Sequence, residues 1–293
     1  MSLETAGAGA TVPNGVLTLS CPDRIGIVAD VSRFLAEHAC NILESAQHGD
    51  PANGRFFLRT VFESTAGHRL AALQSAFAPI AARYAMDSRF FDAAAKTPTL
   101  IMVSRLGHCL NDLLFRWRIG ALPIDVKAVV SNHPDFEDLA RATGLPFRCL
   151  PVTPETKAAQ EEVLEAMVAD LGIELIVLAR YMQILSADLC ARYSGRIINI
   201  HHSFLPSFKG ARPYHRAHER GVKLIGATAH YVTQDLDEGP IIEQSVERVG
   251  HGLSVDDYVA VGRDVEALVL ARAVKWHVER RVLLNGGRTV VFN

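Results

Sequence analysis

From Gly15 onward the apolar residues follow two rhythms, and the change between them divides the chain. GVLTLS (15–20) is a short β-rich run that Pro22-Asp23 breaks. Val28, Val31 and Leu35 then fall three and four residues apart, the spacing of one helix face. NILESAQH (41–48) and RFFLRTVFE (55–63) read as paired strands around the turn Asp50-Pro51-Ala52-Asn53-Gly54. Leu70, Leu73, Phe77, Ile80 and Tyr84 step along a second helix, and MDSRFFD (86–92) supplies a fourth strand. The order β-α-β-β-α-β predicts a small ferredoxin-like unit over 15–93.

After a linker at 94–98 the rhythm changes. TLIMVS (99–104), DVKAVVS (125–131), PFRCLPV (146–152) and ELIVLA (174–179) are short, nearly continuous apolar runs, separated by helical stretches at 107–118, 135–143 and 155–171. Strands buried on both faces and alternating with helices predict a Rossmann-like α/β domain with a mostly parallel sheet over 99–293. RIINI (196–200), LIGATAHYV (224–232) and IIEQSVERV (241–249) are further strands. A long final helix starts near Ser254, where Asp257 completes a capping-box spacing. Residues 1–14 are small and polar and are expected to form a disordered tail.

Bulk properties narrow the classes. The 293 residues suffice for two domains, and a net charge of −2 gives no general pull toward nucleic acid or an anionic membrane. The five cysteines contain no CxxC pair and are expected to be reduced thiols, mostly buried. The N-terminus lacks the basic and apolar regions of a secretory signal, and no apolar run approaches the roughly 18 residues of a membrane span. A cytoplasmic protein is expected.

The densest polar cluster lies at the ends of two predicted strands. RIINI runs into Asn199-Ile200-His201-His202-Ser203 and then Phe204-Leu205-Pro206-Ser207-Phe208-Lys209-Gly210; LIGATAHYV runs into Thr233-Gln234-Asp235-Leu236-Asp237-Glu238-Gly239. Ligands of open α/β sheets bind beyond the carboxyl ends of strands, so an Asn, a His and an Asp from these segments can meet in one pocket. Asn199 and His201 are two apart and point to one side of an extended segment. An amide N–H and an imidazolium aimed at one point stabilise a developing oxyanion, and a nearby carboxylate takes a proton from water or an amine. With no Ser or Cys in an activating elbow, the set suits direct attack on a carbonyl by a small nucleophile. A role for His202 stays open between catalytic and structural. His215-x-x-His218 lacks a nearby Cys or an intervening Glu, so no metal is expected, and both histidines are assigned to the outer face of a short helix. Cys109, at a helix start, is expected to be a packed thiol.

NIHHSFLPSFKG followed by GATAHYVTQDLDEGPII resembles the folate-dependent formyltransferase family, over roughly 99–275, and ARYMQILS (179–186) looks like that family's pterin-pocket strand end. The resemblance implies that Asn199, His201 and Asp237 are catalytic. It also implies folate contacts along Met182, Gln183, Ile184 and Leu185, and along Thr233, Gln234 and Asp235. The N-terminal unit, with Asp23-Arg24-Ile25-Gly26-Ile27 and Asn41, resembles an ACT domain; this implies an amino-acid effector such as glycine or methionine at Asp23, Gly26, Ile27 and Asn41, and pairing into dimers or tetramers. The two domains in this order resemble the formyltetrahydrofolate deformylase family. That resemblance implies hydrolysis of 10-formyltetrahydrofolate to tetrahydrofolate and formate, no prosthetic group, and a part in one-carbon balance and purine synthesis. The loop Ser104-Arg105-Leu106-Gly107-His108-Cys109-Leu110-Asn111 keeps one Gly where glycinamide ribonucleotide transformylases carry a Gly/Asn/Ser-rich phosphate loop, a departure that favours water as acceptor. Methionyl-tRNA relatives need a further C-terminal domain, for which no room is expected. Formyl transfer to an amine, and an amino-acid sensor with an inactive large domain, are the alternatives.

Overall fold

The structure is a computed structural model that describes residues 14–205 and 213–293. The expected tail at 1–14 falls almost wholly outside the described residues, as does the Pro206–Gly210 part of the loop after His201. The chain divides into two compact units, residues 1–95 with 292–293, and residues 96–291.

The first unit carries β1 (Asn14–Pro22), α1 (Ile27–Glu37), β2 (Cys40–Asp50), β3 (Arg55–Ser64), α2 (Leu70–Tyr84) and β4 (Asp87–Asp92). The strands form an antiparallel sheet in the order β2-β3-β1-β4. Leu17 and Leu19 of β1 and Phe56, Leu58 and Phe62 of β3 form one core with Leu73 and Phe77 of α2. The face of α1 in that core is Ile27, Val31, Phe34 and Leu35, whereas Val28, expected there, is exposed. Gly26, at φ +97°, turns the chain so that the helix starts on Ile27, which takes the inward position one turn before Val31.

The second unit carries β5 (Thr97–Val103), α3 (His108–Arg118), β6 (Ile124–Ser131), α4 (Glu137–Ala142), β7 (Phe147–Cys149), α5 (Lys157–Asp170), β8 (Leu175–Leu178), α6 (Ala187–Arg192), β9 (Ile197–His201), α7 (Pro213–Glu219), β10 (Leu224–Tyr231), β11 (Ile241–Arg248), α8 (Val255–Val278), β12 (Val282–Asn285) and β13 (Arg288–Val291). Seven strands form one sheet in the order β11-β10-β9-β8-β5-β6-β7. Neighbours from β9 to β7 are parallel, and β10 is antiparallel to both of its neighbours. The unbroken apolar runs have a direct cause. Ile101, Val103 and Val177 face one core with α3 and α8, while Leu100, Met102, Ile176 and Leu178 face a second core with α5 and α6.

Some elements differ from expectation. The run PFRCLPV contributes only the edge strand β7, because Pro146 and Pro151 flank it and have no N–H to donate. β5 begins at Thr97, inside the expected linker 94–98. Helix α6 and the hairpin β12–β13 are too short to show a period in sequence. The capping box of α8 forms: Asp257 N–H donates to Ser254 Oγ at 3.2 Å, and Ser254 N–H donates to Asp257 Oδ2 at 2.8 Å. This 24-residue helix packs on β9, β10, β11 and α3. Among the described residues no helix is long and apolar enough to cross a membrane. Of the five free cysteines, Cys149 alone is exposed.

Candidate active site

The end of β9 and the loop after β10 meet at one carboxylate. On the ladder Asn199 lies opposite His230 and His201 opposite Thr228. Because β10 runs antiparallel, its carboxyl end at Tyr231 lies beside Ile198, not beside His201. The expectation that both strand ends share one sheet edge is therefore corrected for β10. Asp237 reaches His201 because the loop 232–240 turns back along the sheet. Its base is closed by Tyr231 N–H donating to the Pro240 carbonyl at 2.9 Å. Gly239 makes the return possible, since a Cβ there would lie 1.7 Å from the Tyr231 carbonyl oxygen. Asp237 itself sits at φ +58°.

His201, only 5% exposed, donates from Nδ1 to Asp237 Oδ2 at 3.1 Å, and its Nε2 meets Ser203 Oγ at 2.9 Å. His230 donates from Nδ1 to the Tyr231 carbonyl at 2.9 Å, which turns its Nε2 toward Asn199 Nδ2 at 3.3 Å and Asp237 Oδ1 at 3.7 Å. Asn199 Nδ2 carries two hydrogens and the single Nε2 of His230 takes at most one, so at least one faces the cavity. Burial alone would push the Asp237 carboxyl up. The hydrogen bonds and charges of His201 and His230 outweigh it and hold the group well below the usual carboxylate range. Both nitrogens of His201 are engaged, Nδ1 by Asp237 and Nε2 by Ser203, so what it offers the site is the proton it shares with Asp237. The His201 ring stacks on His202 at 5.0 Å. Neither His230 nor Ser203 was given a role in the site from sequence. The only available signal was alternation, since His230 is two residues from Thr228 on a strand that had to pair with β9.

Asn199, His201 and Asp237 line a cavity of about 570 Å³. Met182, Gln183, Ile184, Leu185, Thr233, Gln234 and Asp235 line the same cavity. Met182 and Ile184 are 56% and 61% exposed, apolar surface suited to an aromatic ring, while Leu185 is buried in the core. The Met182 N–H donates to Ser104 Oγ at 2.9 Å, and Ser104 Oγ donates to Asn132 Oδ1 at 2.7 Å, so this loop is tied to the ends of β5 and β6.

A second polar cluster borders the cavity. Glu266, 1% exposed on α8, accepts from Tyr214 Oη at 2.6 Å and from His108 Nε2 at 2.8 Å, with Arg180 Nε at 3.3 Å. Burial would raise its carboxyl, but the His108 hydrogen bond, the Arg180 charge and the Tyr214 hydroxyl leave it lowered. Donor atoms of His108, Cys109 and Glu266 lie within 4.8 Å of one another, yet the set is a poor cation site. Both Glu266 oxygens already have donors, Arg180 stands beside them, and burial pushes the Cys109 thiol well above its ordinary value. Gly107, left in the loop before α3, faces Phe136, whose ring would lie 2.3 Å from a Cβ there. His215 is exposed on α7, as expected, but His218 turns inward: its Nε2 meets the Leu253 carbonyl at 3.1 Å and its ring packs on Tyr258.

In the first unit, Gly26 precedes α1 and Asp23 is exposed, its N–H donating to the Gly54 carbonyl at 2.8 Å. The Ile27 side chain is core, which leaves only its backbone for a ligand. Asn41 lies exposed on the edge strand β2, and among the described residues no hydrogen bond joins it to the other three. The first turn of α1 already holds a carboxylate, Asp30, which accepts from Arg33, Arg83 and Tyr84 at 2.8–2.9 Å.

Comparison with known proteins agrees with both units. Residues 98–274 match the formyl transferase family, and residues 15–78 match the ACT domain. The chain is 52% identical over 277 residues to a formyltetrahydrofolate deformylase of Corynebacterium sp. strain P-1, covering 94% of this chain and 97% of the relative. It is 47% identical over 281 residues to the Bacillus subtilis strain 168 enzyme of that name, covering 95% and 94%. The crystal structure of formyltetrahydrofolate deformylase from Burkholderia mallei ATCC 23344 superposes with a TM-score of 0.92 at 56% identity, covering 96% of this chain and all (100%) of that one. Glycinamide ribonucleotide transformylase 1 of Symbiobacterium toebii superposes with a TM-score of 0.63 at 29% identity, over 68% of this chain. The identity to the deformylases runs through both units, and by that full-length match the chain belongs to the formyltetrahydrofolate deformylase family.

Proposed function

We propose that the protein hydrolyses 10-formyltetrahydrofolate to tetrahydrofolate and formate, and so balances one-carbon pools for purine synthesis. The observation that carries this reading is the Asp237–His201 pair, at 3.1 Å, beside the Asn199 amide in a cavity walled by apolar loops. The pterin lies against Met182 to Leu185 and Thr233 to Asp235, and the formyl oxygen points at the spare Asn199 N–H. Asp237, held ionised, orients a water toward the formyl carbon and accepts its hydrogen bond. As the oxygen attacks, its proton passes to the Asp237–His201 pair, and the Asn199 amide with the His201 charge balances the new oxyanion. The same pair returns a proton to N10 as the C–N bond breaks. Formic acid then loses its proton to solvent, so atoms and charge balance without a covalent enzyme intermediate or a prosthetic group.

The assay is formate release from 10-formyltetrahydrofolate by the purified protein with no amine present. Stoichiometric formate and tetrahydrofolate support the reading; absence of formate, with the folate bound, overturns it. The reading extends to a cytoplasmic homo-oligomer, a dimer or tetramer, regulated by an amino acid such as glycine or methionine at Asp23, Gly26, Ile27 and Asn41. Five free thiols suit a reducing compartment. Calorimetric titration of the full chain with each amino acid tests the effector.

A further inference from the structure

Hydrolysis does not by itself need the four side chains that meet at Glu266, yet they border the reaction cavity. They come from four places: His108 opens α3, Arg180 follows β8, Tyr214 lies on α7 and Glu266 on α8. Leu178, the last residue of β8, is the ladder partner of Asn199, and Arg180 follows it two residues on and lines the same cavity as His201. Arg180 is kept there against three local costs. It is a non-glycine residue at φ +65°, it is 8% exposed, and its buried Nε has an ion-pair contact but no aligned hydrogen bond. Tyr214 is seated just as tightly, because a Cβ at Gly262 would lie 2.2 Å from its ring. Strain and buried charge beside a reaction centre mark a group selected for what it does there.

We propose that this cluster decides the acceptor: it closes the approach of an amine to the formyl carbon and leaves water as the nucleophile that fits. The proposal rests on the hydrolase reading above. Two physical effects combine. The side chains fill the space an alkyl substituent of an amine would need, and water has no such substituent. Charge acts in the same direction, since free amines are ammonium ions near neutral pH and Arg180 repels them. The one carboxylate that could attract them, Glu266, has both oxygens engaged by Tyr214, His108 and Arg180. In transfer to an amine, the N10–C bond breaks, an N–C bond to the acceptor forms, and a proton moves from the acceptor nitrogen to N10. In hydrolysis, water supplies both the oxygen and that proton. The machinery at Asn199, His201 and Asp237 serves either course, so the acceptor must be chosen elsewhere.

The test is a partition ratio. The full-length protein turns over 10-formyltetrahydrofolate, carbon-13 labelled in the formyl group, with excess glycinamide as a small amine, and N-formylglycinamide and formate are counted by NMR against an enzyme-free control. Wild type is expected to give formate. Arg180→Gly combined with Glu266→Gln, and separately His108→Ala, are each expected to raise the ratio of amide to formate by about tenfold or more, the scale of one lost discriminating contact. A merely structural role would lower both products together and leave the ratio fixed. An unchanged ratio in a variant that still forms tetrahydrofolate overturns the proposal. If the double variant does not fold, His108→Ala decides alone, since it leaves the Arg180–Glu266 pair in place. Wild type that releases no formate defeats the hydrolase reading, and this proposal with it; formate from wild type with unmoved ratios defeats this proposal alone.

Discussion

Replacing Asp237 by Asn removes one charge and almost no volume. Asn is the appropriate choice because Asp237 sits at φ +58°, a left-handed conformation that Asn tolerates better than Ala. At the 3.1 Å separation from His201 Nδ1, with an effective dielectric of about 20, the gross attraction lost is about 5 kcal/mol, an upper bound. The side chain is 14% exposed, so solvent screens little of it. Loss of a positioned acid–base group typically costs about 10²- to 10⁴-fold in rate, or about 3–5 kcal/mol of barrier, within that bound. The assay couples formate release to formate dehydrogenase and separates kcat from KM. The expected outcome is a kcat lower by that factor, with KM within about threefold because the near-isosteric change leaves in place the side chains proposed to face the folate. His201 and His230 hold the Asp237 carboxyl low, so it stays ionised through mildly acidic pH, and the acid limb of the wild-type profile belongs to another group. A folded Asp237→Asn protein with kcat within about threefold of wild type would remove this carboxylate from the chemistry.

Three further outcomes are expected. Asn199→Ala lowers kcat by about 10²- to 10³-fold at nearly constant KM, the cost of one oxyanion donor; steady-state kinetics that show KM alone rising would make Asn199 a binding residue. Ser104→Ala takes away the acceptor of the Met182 N–H and the donor to Asn132, about 1 kcal/mol each, so KM for the folate rises several-fold and kcat changes less. Glu266→Gln tests linkage: the folded carboxyl is lowered from an unfolded value of about 4.3, so its stabilisation is complete above that pH and is lost as pH falls through the folded value. The melting-temperature gap between wild type and Glu266→Gln at pH 7 should therefore shrink below about pH 4, and a gap that widens there would contradict the assigned direction.

Most of the secondary structure was legible because burial imposes a period. Leu73 and Phe77 lie on one face of α2, and the unbroken run in β5 reflects two cores, one on each side of the sheet. Where no period could develop, the pattern was silent, as at α6 and the β12–β13 hairpin, or misleading, as at Val28. The local grammar of the site was also visible: Asn199 and His201 two apart at a strand end, and a Gly-Pro that ends the Asp237 loop.

Sequence by itself thus determined the order of elements, the two-unit division of rhythm and the three residue types that carry the proposed chemistry, since these depend on neighbours within one turn or one strand. Only the tertiary structure decided that β10 runs antiparallel, that its loop must fold back to bring Asp237 to His201, and that His108, Arg180 and Tyr214 converge on Glu266. Those contacts join residues 36 to 158 positions apart. Their geometry follows from strand order and helix packing, which no local spacing encodes.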